Sequence, residues 1–232
     1  MHVYKTLVGT PGHGICIAPW DPLSETSWNG IFPGEAGLLT EHVQAGIARA
    51  ADCGGIWCPS GGDTRGETPL SEASGMREIA AQHAFFGHTL VESRTLLDAH
   101  ARDSLGNVVL PLGLFRNLFG YYPSTLFLCG WRQKSVRFLR HIEAIGWRGD
   151  FEYVSVNEPH PNALAAACAG EREKLESTLE DPLLQAPRWR EQRALRNPRG
   201  RKLPHFEDPE LMKFVEYIFG DGPAVPVPSW TA

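Results

Sequence analysis

Apolar, strand-like runs alternate with helical stretches through residues 1–160, and three of the runs end in a polar or glycine-rich cluster. The clusters are Gly9-Thr10-Pro11-Gly12-His13-Gly14, Ser60-Gly61-Gly62-Asp63-Thr64 and Trp131-Arg132-Gln133-Lys134. Alternation of this kind implies a parallel sheet, because a parallel strand reaches its neighbour only through a crossover that a helix supplies. Ligands of such sheets bind beyond the carboxyl ends of the strands, where the connections part. Three polar clusters on that one edge would form one cleft.

The fold class read from this pattern is α/β: a Rossmann-like parallel sheet with helices on both faces, plus a C-terminal arginine- and proline-rich arm. Strands are predicted at residues 4–8, 55–58, 125–130 and 151–156, with a short one at 89–92. Helical spacing of Leu39, Val43, Ile47 and Ala50 predicts an amphipathic helix over 38–52. A second helix is expected from a Thr68 cap, with Pro69 at its first position, through residue 84. Further helices are expected at 98–119, kinked or divided by Pro111, and at 135–145, 163–179 and 211–219. Residues 19–37 show no period and read as a long connection, a candidate lid. Residues 181–204 read as an extended arm and 223–232 as an irregular tail. The organisation is thus a Rossmann-like domain over 1–160. A C-terminal helix, arm and closing helix over 161–232 pack on that same domain.

Composition removes several function classes. The formal charge of −5 over 232 residues gives no global attraction to nucleic acid or anionic membrane. No apolar run reaches the roughly 20 residues that span a bilayer. Lys5 and the glycine-rich loop interrupt any export signal, so a cytoplasmic location is expected. Cys16, Cys53, Cys58, Cys129 and Cys168 contain no Cys-x-x-Cys pair, which argues against a zinc site or a disulfide framework. Seven basic residues fall from Arg188 to Lys202, but with a single aromatic, Trp189, among them rather than a repeated aromatic-basic interleaving. An arm neutralised by nearby acids is the expectation, and nucleic acid is not an expected partner. A homo-oligomer remains compatible with the sequence.

The candidate site residues come from the clusters. His13 is placed to act as a general acid–base or to tie its own loop together, and Gly12 lets the backbone approach a ligand. Ser60, Gly61, Gly62 and Thr64 are expected ligand contacts, with Asp63 an acid–base candidate beside them. Ser71 and Glu72 fall in the first turn of the second helix, where Glu72 is a cap, a base or a ligand contact. Arg102, Asp103 and Asn107 stand near another helix start. Trp131 offers an aromatic wall. Lys134 and Arg137, three apart, are placed to grip phosphate or carboxylate. His42, His83, His88 and His141 have no ligand spacing and read as surface or packing residues. No Gly-x-Ser-x-Gly elbow, Walker loop or His-Glu-x-x-His occurs.

Taken together, several segments resemble the SanA/YdcF/ElyC-like family, closest to its soluble, eukaryotic-type branch. They are Pro11-Gly12-His13, Ser60-Gly61-Gly62-Asp63-Thr64-Arg65, Ser71-Glu72-Ala73, Arg102-Asp103-Ser104-x-x-Asn107, Lys134-x-x-Arg137-Phe138 and Arg196-Asn197-Pro198. The resemblance implies a Rossmann-like domain and a polar nucleotide-type or sugar-phosphate ligand, with S-adenosylmethionine one proposed class. Two departures stand out. Gly106-Asn107 replaces the family's Glu-Asn, and Asp63 replaces a glutamine found in many members.

The function expected is an enzyme acting on a small anionic metabolite by acid–base hydrolysis or group transfer. His13, Asp63, Glu72 and Asp103 are the catalytic candidates. No metal is needed, although Asp63 and Glu72 are of the type that recruits one. The alternative is a non-catalytic module that binds a nucleotide or S-adenosylmethionine.

Overall fold

A computed structural model of the chain describes residues 3–220 and 222–230. The strands among them are β1 (Thr6–Pro11), β2 (Ile15–Cys16), β3 (Trp28–Asn29), β4 (Ile56–Ser60), β5 (Thr125–Trp131) and β6 (Asp150–Asn157). The α-helices are α1 (Ala36–Asp52), α2 (Glu72–Gln82), α3 (Gly106–Phe119), α4 (Ser135–Ala144), α5 (Pro161–Glu180), α6 (Pro187–Leu195) and α7 (Pro209–Phe219). Four strands form one parallel sheet in the order β4-β1-β5-β6, while β2 and β3 make a small antiparallel pair. The protein is therefore an α/β fold of Rossmann-like type.

Side chains on a strand alternate between faces, so neighbours in sequence enter different cores. Leu7, Ile56, Cys58, Leu126 and Leu128 face a core shared with α3, α4 and α7. Val8, Trp57 and Cys129 face a second core with α1 and α2. The predicted α1 stripe of Leu39, Val43, Ile47 and Ala50 is wholly buried there. On the other side α3 buries all of residues 106–113 and Phe115, which explains why its sequence is apolar around the full turn. Pro111 is accommodated within this single helix.

Four local expectations are corrected. Residues 89–92 form no strand: Thr89–Arg94 is a 3-10 helix. Pairing to the edge of β4 comes later, as single parallel bridges from Thr95 to Trp57 and from Asp98 to Ser60. The helix expected from residue 98 begins only at Gly106. Asp98 instead uses Oδ1 to accept the His100 N–H (3.0 Å) and Oδ2 to accept the Ser60 hydroxyl (2.6 Å), holding the chain in a turn. The second helix starts at Ser71, not Thr68. Ser71 and Ser74 close a reciprocal capping box, with Ser74 N–H to Ser71 Oγ at 3.0 Å and Ser71 N–H to Ser74 Oγ at 2.8 Å.

The arm over 181–204 is not extended throughout, because residues 187–195 coil into α6 with Pro187 in its first turn. Its arginines fold back on the sheet domain. Arg193 pairs with Asp103, and Arg199 and Arg201 pair with Asp63. In the tail, residues 222–230 carry no helix or strand, and Trp230 is buried against Tyr122, Trp147 and Phe214. Residues 231 and 232 of the predicted tail lie outside the described residues. No helix among the described residues is long and apolar enough to cross a membrane.

Candidate functional site

From β1 the chain passes outward to β4, then crosses back to β5 on the other side of β1. The connections after β1 and β5 therefore diverge, and a crevice opens between their carboxyl ends. A cavity of about 1040 Å³ occupies that place. Its floor is formed by Gly12 and His13 after β1, by Trp131 at the end of β5 and by Gln133 and Lys134 beyond it. Glu35, Thr64, Glu72, Ser104 and Asn107 add walls, and α5 closes the far side. The α5 wall is Ala163, Ala166, Ala167, Gly170, Glu171 and Lys174, spaced three and four apart so that one face of the helix is mostly small side chains.

His13 stands between an acid and an amine. Its Nε2 lies 3.5 Å from Glu35 Oε2 and its Nδ1 lies 3.4 Å from Lys134 Nζ, while its ring meets Trp131 edge-on. Burial and the Lys134 charge hold the imidazole below its usual range, against the pull of Glu35. Burial alone would raise Glu35, but hydrogen bonds from His13 and the Phe32 N–H (3.0 Å), with the nearby cations, bring it below the ordinary value. Lys134 is pushed down to about 7, chiefly by burial and then by the Arg137 charge. Acid, imidazole and amine thus form a contiguous set along the cavity floor.

Glu72 threads between two glycine backbones. A Cβ at Gly61 would sit 2.5 Å from Glu72 Oε2 and 2.7 Å from its Cβ, and one at Gly12 would lie 2.6 Å from that Cβ. Gly61 also holds φ at +157°, which other residues rarely adopt. Thr64 donates to Glu72 Oε1 at 2.8 Å. Burial raises the Glu72 carboxyl, opposed by that bond and by Arg196, Lys134 and Arg65.

Other expected contacts have structural duties. The Gly61 and Gly62 amides donate to Asp98 O (2.9 Å) and Ala101 O (2.6 Å), so neither is left for an anion. Ser60 donates to Asp98 Oδ2 at 2.6 Å and meets the Asn107 side-chain amide at 2.8 Å beneath the cavity floor. Ser71 is consumed by its helix cap. Asp63 is buried and clamped by Arg199 at 2.5 and 2.6 Å, and it lies outside the cavity lining. Asp103 accepts the Gly106 N–H at 2.7 Å and pairs with Arg193, which with that bond holds its carboxyl low despite burial. A Cβ on Gly106 already stands 3.2 Å from Ala101 Cα, so the acid expected at that position is replaced by close packing. Arg137 is held by Glu171 at 2.6 and 2.8 Å, and Arg102 bonds Arg201 O.

Two of the four carboxylates that line the cavity, Asp103 and Glu171, are paired with arginines, whereas several of its cations have no acidic partner. Among the described residues Lys134, Lys174, Arg65 and Arg196 form no ion pair, and all four line the cavity. Glu35 and Lys174 were not singled out by the sequence, and Arg65 and Arg196 stood only within segments that carry the family resemblance, with no site role. Glu35 sits in an aperiodic loop with no motif, while the small-residue stripe on α5 ending at Lys174 was a legible signal. No group of three or more His, Cys, Asp and Glu side chains suited to a metal occurs among the described residues. No protein-family model, curated protein or solved structure matches the chain. Fold and site together define a Rossmann-like α/β protein with a cation-lined cavity at its topological switch point.

Proposed function

We propose that the protein is an enzyme acting on a small anionic metabolite by acid–base hydrolysis or group transfer, and that it is a divergent member of the SanA/YdcF/ElyC-like family. One observation carries the reading: Lys134, Lys174, Arg65 and Arg196, none of them in an ion pair among the described residues, converge on a cavity where Asp103 and Glu171 are already held by arginines. In a partly desolvated cavity such cations attract phosphate or carboxylate more strongly than at an open surface. Lys134, His13 and Glu35 supply the proton path, with Lys134 the acid and His13 the base. Glu72, held protonated more readily than a surface carboxyl, is a second donor.

The test is a thermal-shift series with inorganic phosphate, a nucleoside diphosphate and a sugar phosphate against their neutral parent compounds. A ligand at 100 times its Kd stabilises by about 2.7 kcal/mol. That is a rise in Tm of about 5–11 °C for a chain of this size. Lys134→Ala should remove most of the rise. Equal shifts with the neutral compounds would refute the reading. Turnover of a ligand found this way distinguishes the enzyme from a module that only binds a nucleotide or S-adenosylmethionine.

A further inference from the structure

We infer that Ser104 is a nucleophile activated by His141, and that the cavity carries out acyl transfer on an ester of an anionic metabolite through a covalent Ser104 intermediate. The inference rests on the reading of the cavity as an enzyme's, and adds the group that attacks.

Ser104 lines the cavity just before α3 and is 8% exposed, while His141 lies behind it on α4 and is wholly buried. Ser104 Oγ is 2.7 Å from His141 Nε2, and His141 Nδ1 is 2.9 Å from Pro182 O. A carbonyl only accepts, so Nδ1 carries the proton and Nε2 is the lone pair. The hydroxyl proton of Ser104 therefore points at a base whose tautomer is fixed by a third group, which is the arrangement nucleophilic catalysis requires. Asn107 lies three residues on along the same cavity wall. Its side-chain amide is 2.8 Å from Ser60 Oγ, whose own proton goes to Asp98.

In the first step Ser104 Oγ bonds to the ester carbonyl carbon and its proton passes to His141 Nε2. The C–O bond of the ester then breaks, and the leaving oxygen takes the bonding pair and the proton from Nε2. Water next attacks the acyl carbon, giving its proton to Nε2. The acyl–Oγ bond breaks and Ser104 recovers that proton. Proton counts close without a co-reactant.

The groups facing His141 are Arg137 on its own helix, Asp103 and Ser104 before α3, Arg193 on α6 and the Pro182 carbonyl. Burial, with Arg137 next, brings its imidazole down to about 4, so the base form persists through neutral pH.

The experiment is incubation of the folded wild-type chain with an alkyl fluorophosphonate, read by intact mass and peptide mapping. Oγ–P forms, P–F breaks, and fluoride leaves. One adduct is expected, on Ser104, absent from Ser104→Ala and formed about 100-fold more slowly in His141→Gln. The wild-type labelling rate should be flat from pH 6 to 9. A rate rising tenfold per pH unit would mean that hydroxide or unaided ionisation activates the serine, and would overturn the inference even if His141→Gln failed to fold. No adduct, or an adduct elsewhere, also overturns it. The probe is uncharged, so the two readings separate. Anion binding without an adduct removes the nucleophile alone, and an adduct without anion selectivity removes the anionic ligand alone.

Discussion

Replacing Glu171 by alanine strands the Arg137 guanidinium between α4 and α5. The two side chains are only 10% and 8% exposed, and they meet through two bonds of 2.6 and 2.8 Å. Screening by solvent is therefore small, and removing one partner of such a pair costs about 3–5 kcal/mol. At about 2–4 °C per kcal/mol for a chain of this length, Tm should fall by about 6–20 °C. The lower half of that range is expected, because Arg137 borders the cavity and water entering there hydrates it in part. Urea and thermal unfolding followed by circular dichroism measure the effect in Glu171→Ala, Arg137→Met and the double variant Arg137→Met/Glu171→Leu. The double variant should lie within about 1 kcal/mol of wild type, since no charge is left buried without a partner. A Glu171→Ala chain within about 0.5 kcal/mol of wild type, or a double variant as unstable as the two single losses added, would show that the pair is solvated and refute the reasoning.

Acid should weaken the fold well before carboxylates titrate. Burial lowers His42 to about 3 and His141 to about 4, whereas both return to about 6.5 on unfolding. The unfolded chain then binds more protons across that window, so stability falls as pH drops. From pH 6 to 5 the two together should cost about 2–3 kcal/mol, less a smaller opposing contribution from the raised Glu72. Urea unfolding at each pH measures it, and a flat profile between pH 7 and 5 would contradict the neutral, buried state of these rings. Asp103, held low, keeps its contribution until pH falls below its ordinary 3.8. At Gly61, alanine meets Glu72 and a backbone angle that side chains resist, so Gly61→Ala should cost about 1–3 kcal/mol. The same change should weaken anion-induced thermal shifts through displacement of Glu72, and shifts of wild-type size would show that Glu72 does not border the ligand.

Local pattern revealed the elements that are amphipathic or wholly apolar. The α1 stripe at Leu39, Val43, Ile47 and Ala50 and the buried run of β5 follow from periodicity, which is a property of near neighbours in sequence. Element ends were less legible. Asp98 and the Ser71–Ser74 box decide where α3 and α2 begin through hydrogen bonds that compete with helix formation. The segment Thr89–Arg94 has strand-like residues but coils into a 3-10 helix, and the chain bridges the β4 edge only afterwards, at Thr95 and Asp98.

By itself, then, the sequence determined an alternating α/β chain whose polar clusters follow its strands, and so the edge at which a ligand would bind. The roles of individual side chains were decided only in three dimensions. Asp63 and Asp103 looked like site acids until Arg199, Arg201 and Arg193 came back from more than eighty residues away to pair with them. His141, expected as a surface or packing residue, is wholly buried, and its Nε2 reaches Ser104 only because α4 packs beside the start of α3. Burial and charge pairing depend on which distant segments share a space, and that is settled by tertiary packing rather than by local pattern.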